Sequence, residues 1–584
     1  VMSVLPNLLA AKTVVIDTET TGLDWKRDRI CGYVITLGPM EGDSFYIPVR
    51  HETGPNIEAN NVSNWLSESL RKDTRIVGHA LKFDMHMLMN EGISLLDHDL
   101  ECTMVNAALI DENCGRYALE PQAVLMGVEP KKSKIMYEYL SLKFGENPVQ
   151  KQMENFHKLP ADDEMAHEYA KGDGTTTWQI WQKQQELLDF EELRRVWEVE
   201  CRVIKSLFRM ERKGVKVDED RLAVVKLKLS EMLEEANRAL PDDFNPRSTK
   251  QMQKFMEENG QTGWPMTEKG NPSFPEAWLR THDIGNKILR SKKVSNLLNS
   301  FLEPLIDRHM FNGRVHTNFN QLKQEDYGTV SGRLSSSNPN MQQVPKRDKE
   351  LAPLFRSIFV PDEGYVWYSN DYAQQEFVVF THYTGNKMLV DGYNAEPPID
   401  IHSNIAELLN VERDPTAKRM NLGMVYGMGA KALAQNLGIT VLEAKKLIGK
   451  YHILIPEARH FLKKAESRAK TRGHVYTALG RRRRFPDYRF AHKAGNQIIQ
   501  GTSADITKLK MAEVDEYFKC NEHVDMLLQV HDELCWQIKD DPGLNDVAVR
   551  MMTNFGRSQP ITLKVPLRVD SSTGKNWGEA SFGE

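Results

Sequence analysis

Two strand-like stretches place the tightest constraint on the fold: YVWYSNDY, with Asp371 near its end, and MLLQVH followed by ELCWQI, with Asp532 at the junction. For these aspartates to serve one centre, their strands must be neighbours in one sheet, and everything between them must leave that sheet and return to it. The unit that carries them is therefore split, with a first part near 311–400 and a last part near 505–584. Between them, DPTAKRMNLGMVYGMG spaces Lys418, Leu422 and Tyr426 four apart, on one face of a helix. Asp414-Pro415, an N-cap residue followed by a first-turn proline, predicts where that helix starts.

At 584 residues the chain exceeds a single hydrophobic core, and ordinary domain sizes predict roughly three or four domains. Hydrophobic residues make up 40% and charged residues 27%, and no apolar run reaches the ~18 residues of a membrane helix. No membrane association is expected. The six cysteines show no C-x₂-C spacing, so neither a zinc site nor a disulfide framework is indicated, and a reducing, cytoplasmic setting is expected. The first residue is Val1, and no secretory pattern precedes the first strand. A net charge of −5 does not by itself point to nucleic acid. The local basic runs, RSKK at 290–293 and GRRRRF at 480–485, predict instead a basic cleft on an acidic body, although an arginine run also fits a solvated surface.

Near the amino terminus, TVVIDTETTGL is a β-branched strand closing on Asp17 and Glu19, whose i, i+2 spacing points both carboxylates to one face. Asp84 follows in IVGHALKFDMHML, and Asp173 lies four residues after Tyr169 in EYAKGDGTT, which puts the two on one side of a helix. Four such acids can bind two divalent ions about 3.5–4 Å apart, one activating water and one stabilising the leaving oxygen. Tyr169 would orient that water. The set resembles the D-x-E, F-D and Y-x₃-D motifs of the DEDD 3′–5′ exonucleases, in their tyrosine-containing subgroup. Related sequences often carry Asn where this chain has Ala80, which implies one lost substrate contact and no lost metal ligand.

From about 191 to 308 the sequence is strongly helical, with EELRRVWEVECRVIKSLFRMERKG stopping at glycine and RLAVVKLKLSEMLEEANRAL continuing as an amphipathic helix. A structural coiled-coil-like arm and a grip on duplex DNA both fit this pattern. FNPRSTKQMQKFM resembles the thumb of DNA polymerase I relatives, and the short span 250–290 leaves little room for a processivity-factor loop, so no thioredoxin-type partner is expected. The turn-rich GRVHTNFNQLKQEDYGTVSGRLSSSNPNMQQVP follows, interrupted by the excursion LKQEDYGT. Arg333 is its functional candidate. Ions bridged by Asp371 and Asp532 would activate a primer 3′-hydroxyl and neutralise a triphosphate during in-line attack. Lys418 would meet phosphate oxygens and protonate the leaving pyrophosphate, and Tyr426 with Gly427 would lie where a template base stacks. Glu533 is given a secondary role.

Together these blocks resemble family A DNA polymerases, the DNA polymerase I group, over essentially the whole chain, including the ending TGKNW. The resemblance is to compact phage or plastid-type members with an exonuclease part and no 5′-nuclease domain. It implies a multidomain α/β and α+β fold: a ribonuclease H-like DEDD exonuclease domain at 1–190 and a right-hand polymerase with thumb at 191–310, palm at 311–400 and 505–584, and fingers at 401–504. It assigns metals, two Mg²⁺ per site with Mn²⁺ able to substitute, to Asp371 and Asp532 and to Asp17, Glu19, Asp84 and Asp173. Gln374 and His402 go to the nucleotide pocket, Glu376 to the steric gate against a ribose 2′-hydroxyl, and Lys418, Leu422 and Tyr426 to the fingers helix. Arg333 reads minor-groove acceptors present on every base pair, a check of shape without sequence. Asn496 and Gln500 touch primer–template, and His531 the primer end. The implied partners are primer–template DNA and deoxynucleoside triphosphates, bound by a monomer, with a helicase or single-strand-binding protein in replication, in a phage-infected cytoplasm.

Three departures qualify that assignment. The family's triphosphate arginine falls at Asp414, so Arg413, one residue earlier, is expected to reach the phosphates. Leu422 replaces the usual aromatic residue, which predicts poor use of dideoxynucleotides. His492 stands where many relatives have arginine, weakening a template contact. A reverse-transcribing polymerase shares the two-metal core; Glu376 argues against ribonucleotide incorporation, and nothing in the sequence excludes an RNA template. A scaffold with decayed sites would lack catalytic acids, and all the expected acids are present. A stand-alone exonuclease leaves the later residues unexplained.

Overall fold

The computed structural model describes residues 5–583 except 146, 239, 243, 247, 268, 324–328, 347 and 556–558, and side chains are not described at 277, 414 and 415. Most of the excursion LKQEDYGT thus lies outside the described residues. Among the described residues no helix is long and apolar enough to cross a membrane.

The first body is built on a five-stranded sheet in the order Ser44–Pro48, Ile30–Thr36, Thr13–Thr20, Arg75–Gly78, Asp99–Cys102. The first three strands are antiparallel, and Arg75–Gly78 and Asp99–Cys102 run parallel to Thr13–Thr20. Helices must cover both faces of a strand as apolar as Thr13-Val14-Val15-Ile16. On one side Val14 and Ile16 pack with Leu81, Met85 and Leu88 of the Leu81–Asn90 helix. On the other, Val15 packs with Trp178 of the Glu164–Phe190 helix. That long helix is capped by Asp163, whose side chain accepts from Ala166 N.

The second body centres on an antiparallel sheet ordered Val524–Val530, Glu533–Lys539, Tyr365–Tyr372, Val569–Gly574. The Tyr365–Tyr372 strand is central in space although its neighbours follow it late in the sequence. Trp367, Trp536 and Trp577 are fully buried around it. The intervening chain forms a helical insertion that includes Ile401–Leu409, Lys418–Val425, Val441–Leu454 and Pro456–Arg472. It returns through the hairpin His474–Tyr476 with Arg482–Arg484 and the helix Ala494–Phe518. This helix runs without a break across 504/505, so the fingers–palm boundary expected there falls inside one rigid element.

The stretch 191–310 is also divided. Arg194–Lys213 packs on Ala494–Phe518 and Val524–Val530, and Val215–Val217 pairs with Arg314–Val315 and Phe359–Val360. The later helices join the main core through Leu222, Val225, Leu229, Val294 and Leu297 and carry a second core beyond it. Glu219–Asn237 packs with Asp283–Leu297, and between them Phe244, Trp264, Phe274 and Trp278 surround a small core of Met252, Phe255, Met256 and Ile288.

The arginine run is neither a solvated surface nor the wall of a basic cleft. Arg481 is buried between Glu200 and Asp505, with Nε 2.7 Å from Asp505 Oδ1, and Lys508 Nζ reaches Glu200 Oε1 at 2.7 Å. Burial works against the Glu200 charge, yet Lys508 and Arg481 outweigh it and hold the carboxyl at about 2. Arg482 pairs with Glu191. Arg483 Nη1 lies 3.0 Å from Glu112, and Arg484 bridges Glu112 at 2.7 Å and Glu191 at 3.1 Å. The run is therefore a clasp between the second body and the first, its charge cancelled by acids that no local pattern links to it.

Two candidate active sites

Alternation along Thr13–Thr20 puts Asp17 and Glu19 on the face of Val15, beneath the helix that carries Tyr169 and Asp173. Ligand oxygens of Asp17, Glu19 and Asp173 all lie within 4.8 Å of one another. Beside Glu19 the ladder shifts register, with Cys31 of the partner strand as the extra residue. Asp84 stands outside that triple: its Oδ1 accepts from Thr18 Oγ1 at 2.6 Å, on the opposite strand face. Burial, then the charge of Asp173, pushes Asp17 up to about 7. Burial and neighbouring acids also raise Glu19 and Asp84, and burial raises Asp173. Carboxyls pushed up together in this way form a set that a multivalent cation would stabilise. Asp173 Oδ1 is buried without a hydrogen-bond partner, a lone pair suited to such an ion. Lys131, which no motif singled out, donates to Asp173 Oδ2 at 2.8 Å and to Tyr169 Oη at 2.9 Å.

In the second body Asp371 lies directly opposite Glu533 in the ladder, and Tyr372 N donates to Asp532 O at 3.3 Å. The turn at His531-Asp532 is tight, with His531 at φ 60°. Burial first and Asp371 second push Asp532 up to about 7. Asp371 Oδ1 is buried without a partner, while its Oδ2 accepts from Lys346 Nζ at 2.7 Å. The donor set fits divalent ions on the same ground as the first site. Glu533 is only 3% exposed. Burial would raise its carboxyl, but Lys346 and Arg356 hold it below the usual range, so it serves internal pairing. Lys346, a lone lysine without a motif, was invisible in the sequence as a site residue.

The remaining predicted residues divide into those the fold gathers and those it does not. Glu376 is held from two sides, one oxygen by Arg333 and the other by the Tyr426 hydroxyl, which joins three predicted residues across the insertion. Gln374 precedes the Gln375–Thr384 helix at φ 53°, and Tyr393 Oη donates to its Oε1 at 3.0 Å. Lys418 and Leu422 are exposed on one face of Lys418–Val425, and Tyr426, half-buried, is the residue that ends this helix. The α-helix starts at Lys418 and not at Asp414-Pro415: Arg413–Ala417 forms a wider π turn, in which Ala417 N donates to Glu412 O at 3.0 Å. The Asp414 and Pro415 side chains lie outside the described residues.

His402 does not reach the surface. Its ring is 3% exposed and meets Asn421 at 2.7 Å, supporting the helix from behind. Arg413, expected at the phosphates, donates to Asp400 Oδ2 at 2.7 Å and to Ser403 Oγ at 3.1 Å. Asp400 also caps the Ile401–Leu409 helix, so the arginine is tied to that helix start. Asn496 and Gln500 lie one turn apart on Ala494–Phe518, and Asn496 Oδ1 is buried without a partner. His531 is exposed beside the acids, and partial desolvation of its ring, with Arg333 and Lys346 nearby, lowers its basicity. His492 is exposed, its ring 2.8 Å from Arg489 O.

The comparisons with known proteins agree with this arrangement. The family model described as DNA polymerase family A matches residues 219–579, and one described as 3′–5′ exonuclease matches residues 2–189. The chain is 33% identical to "DNA polymerase DpoZ" of Salmonella phage PMBT28, covering 99% of both chains. It is 32% identical to the protein of that name in Acinetobacter phage SH-Ab 15497, covering 98% of both. "DNA polymerase I" of Pseudomonas aeruginosa is 27% identical over 99% of this chain and 64% of its own length. A solved structure entitled "POL domain of Pol1 from M. smegmatis complex with DNA primer-template and dNTP" superposes with a TM-score of 0.82 at 23% identity, covering 98% of this chain and 97% of that one. With a family model over more than half its length and phage relatives matched end to end, this chain belongs to DNA polymerase family A and carries a 3′–5′ exonuclease domain ahead of its polymerase fold.

Proposed function

We propose that the chain extends the 3′-hydroxyl of a DNA primer on a DNA template at Asp371 and Asp532, and removes mispaired 3′ nucleotides at Asp17, Glu19, Asp84 and Asp173. The observation that carries this is the sheet that pairs Tyr365–Tyr372 with Glu533–Lys539 and so sets the two aspartates side by side. In extension the primer oxygen attacks the α-phosphorus, the bond to the bridging oxygen breaks and pyrophosphate leaves. Bound divalent ions, Mg²⁺ in this reading, would ease deprotonation of the attacking oxygen and offset charge on the phosphates.

The chain's own residues supply position and shape. Glu376, pinned by Arg333 and Tyr426, forms a stiff wall where a ribose 2′-hydroxyl would project. Lys418 faces the phosphates, Leu422 the sugar, Tyr426 the template base, and Gln374 the nucleotide. Arg333, Asn496, Gln500 and His531 line the path of the duplex. Arg413 would have to leave Asp400 to reach a triphosphate, and His402 acts through Asn421 rather than on the nucleotide. The unit boundaries we favour are 1–190 for the exonuclease part and, for the polymerase, a palm that recruits Arg194–Lys213 and the helix Ala494–Phe518. Phage relatives named as DNA polymerases support a role in viral DNA replication in a bacterial cytoplasm, with the chain acting as a monomer on primer–template.

Extension of a labelled primer with Mg²⁺ and four deoxynucleotides tests the reading. Full-length product from the wild type and none from Asp532→Ala, with primer shortening retained by both, is the expected result. Equal extension by both would sink it.

A further inference from the structure

Lys131 belongs to none of the acid motifs and sits just before the Ser133–Phe144 helix. Its Nζ donates to Tyr169 Oη at 2.9 Å and to Asp173 Oδ2 at 2.8 Å, and lies 5.0 Å from the centre of the Tyr169 ring. An ammonium has three donors and no acceptor. The phenol oxygen must therefore accept, and the phenol hydrogen is left to point elsewhere. The same ammonium takes one oxygen of Asp173 and leaves the other, Oδ1, buried and without a partner next to Asp17 and Glu19.

We propose that Lys131 is a positioning residue of the exonuclease centre, fixing the Asp173 oxygen that faces the cation site and aiming the Tyr169 hydroxyl hydrogen at the water or phosphate oxygen. This rests on the reading of Asp17, Glu19 and Asp173 as the metal-holding set. A cavity of about 240 Å³, lined by Pro130, Lys131, Met136, Glu168 and Tyr169, adjoins the lysine–phenol pair. A plain counter-charge would need no hydrogen bond to the phenol. Here one nitrogen serves the tyrosine and the aspartate together, and that dual contact distinguishes positioning from neutralisation.

The test uses the full chain with Lys131→Met, Lys131→Arg, Tyr169→Phe and the Lys131→Met/Tyr169→Phe double variant. Two quantities are measured: hydrolysis of single-stranded DNA, resolved into kcat and KM, and Mn²⁺ binding without DNA, read by electron paramagnetic resonance. Lys131→Met is expected to bind Mn²⁺ several-fold more tightly, because a cation has left the site. It is nevertheless expected to cut roughly 10- to 100-fold more slowly at unchanged KM. Lys131→Arg should recover most of the rate, and in the Tyr169→Phe background the loss should shrink to a few-fold, since the two residues act as a unit. Tighter Mn²⁺ binding with an unchanged rate would make Lys131 a counter-charge only. Binding and rate falling together, or an equal loss in the Tyr169→Phe background, would make it a fold residue. Either result overturns the proposal. Wild-type cutting no faster than Asp17→Ala would instead bring down the exonuclease assignment.

Discussion

In the exonuclease part the candidate acids come from one strand and two helices around a single sheet, all within 1–190, with Glu19, Asp84 and Asp173 buried and Asp17 half-buried. In the polymerase part Asp371 and Asp532 stand side by side at the ends of two inner strands, while the groups that would meet the nucleotide arrive on the separate helix Lys418–Val425. The first centre is complete within its own domain. The second is completed by a helical insertion, bridged to the sheet where Arg333 and Tyr426 hold Glu376. Rigid burial suits a site that must hold several like charges together at any moment. An inserted helix suits a site whose substrate changes identity at every step, because checking each nucleotide requires part of the wall to come and go.

If the centres are independent, single acid replacements should separate them. Asp532→Ala is expected to lower primer extension by at least roughly 10³-fold and to leave primer shortening intact, and Asp17→Ala to do the reverse. Both rates, measured on one preparation of each variant, check this, and a cross-effect above tenfold would break the comparison. Next in size, Glu376→Ala should relax exclusion of ribonucleotides by roughly 10²-fold, read as the ratio of kcat/KM for ribo- and deoxynucleotides. Exonuclease rates should not move. Smaller again, Leu422→Tyr would restore a hydroxyl beside the sugar and raise dideoxynucleotide use by roughly tenfold. Chain-termination ladders at fixed nucleotide ratios report it.

In their effect on stability the two centres should instead be alike, since Asp17 and Asp532 are both pushed up to about 7. Asp17 is raised to about 7 from a carboxyl that titrates near 3.8 when free, so the folded state holds a proton that the unfolded chain has lost between those values. Stability contributed by this group is therefore full below about pH 4 and falls as pH rises toward 7. In metal-free buffer the Asp17→Asn protein should gain on the wild type in melting temperature over that window, and Mg²⁺ should close the gap. The smallest expected effect concerns backbone strain. Ala80 adopts φ 59° at the start of the Leu81–Asn90 helix, and relief by Ala80→Gly should stabilise the protein by about 1 kcal/mol in urea unfolding. Gln374 and His531 hold the same region of φ at the polymerase centre, so each site stores some strain beside its acids.

The strands that carry Asp17, Asp371 and Asp532 were legible in the sequence because β-branched runs and i, i+2 spacing are local signals that the sheet obeys. The face shared by Lys418, Leu422 and Tyr426 was legible for the same reason. Lys131 and Lys346 were not: each acts through partners brought near by folding, and an isolated lysine carries no period and no motif. The arginine run misled because charge along a sequence says nothing of the acids that will oppose it. Glu112 and Glu191 come from the first body and its border, far from 482–484 in the chain. The start of the fingers helix was misplaced by one turn because a capping pattern cannot report the hydrogen bond from Ala417 back to Glu412.

That clasp also bears on how the chain can be taken apart. A cut near Phe190 looks like a clean way to separate editing from synthesis, since the Glu164–Phe190 helix ends there. The polymerase fragment would keep Glu191 for Arg482 and Arg484 but lose Glu112, leaving Arg483 without its carboxylate and Arg484 with one of two. A neutral seam would become a sticky cationic edge, ready to hold any polyanion in the preparation. The shortened enzyme would then gain a second, unspecific hold on nucleic acid away from its working site, and a lineage or an engineer discarding the editing domain would have to rewrite those arginines as well.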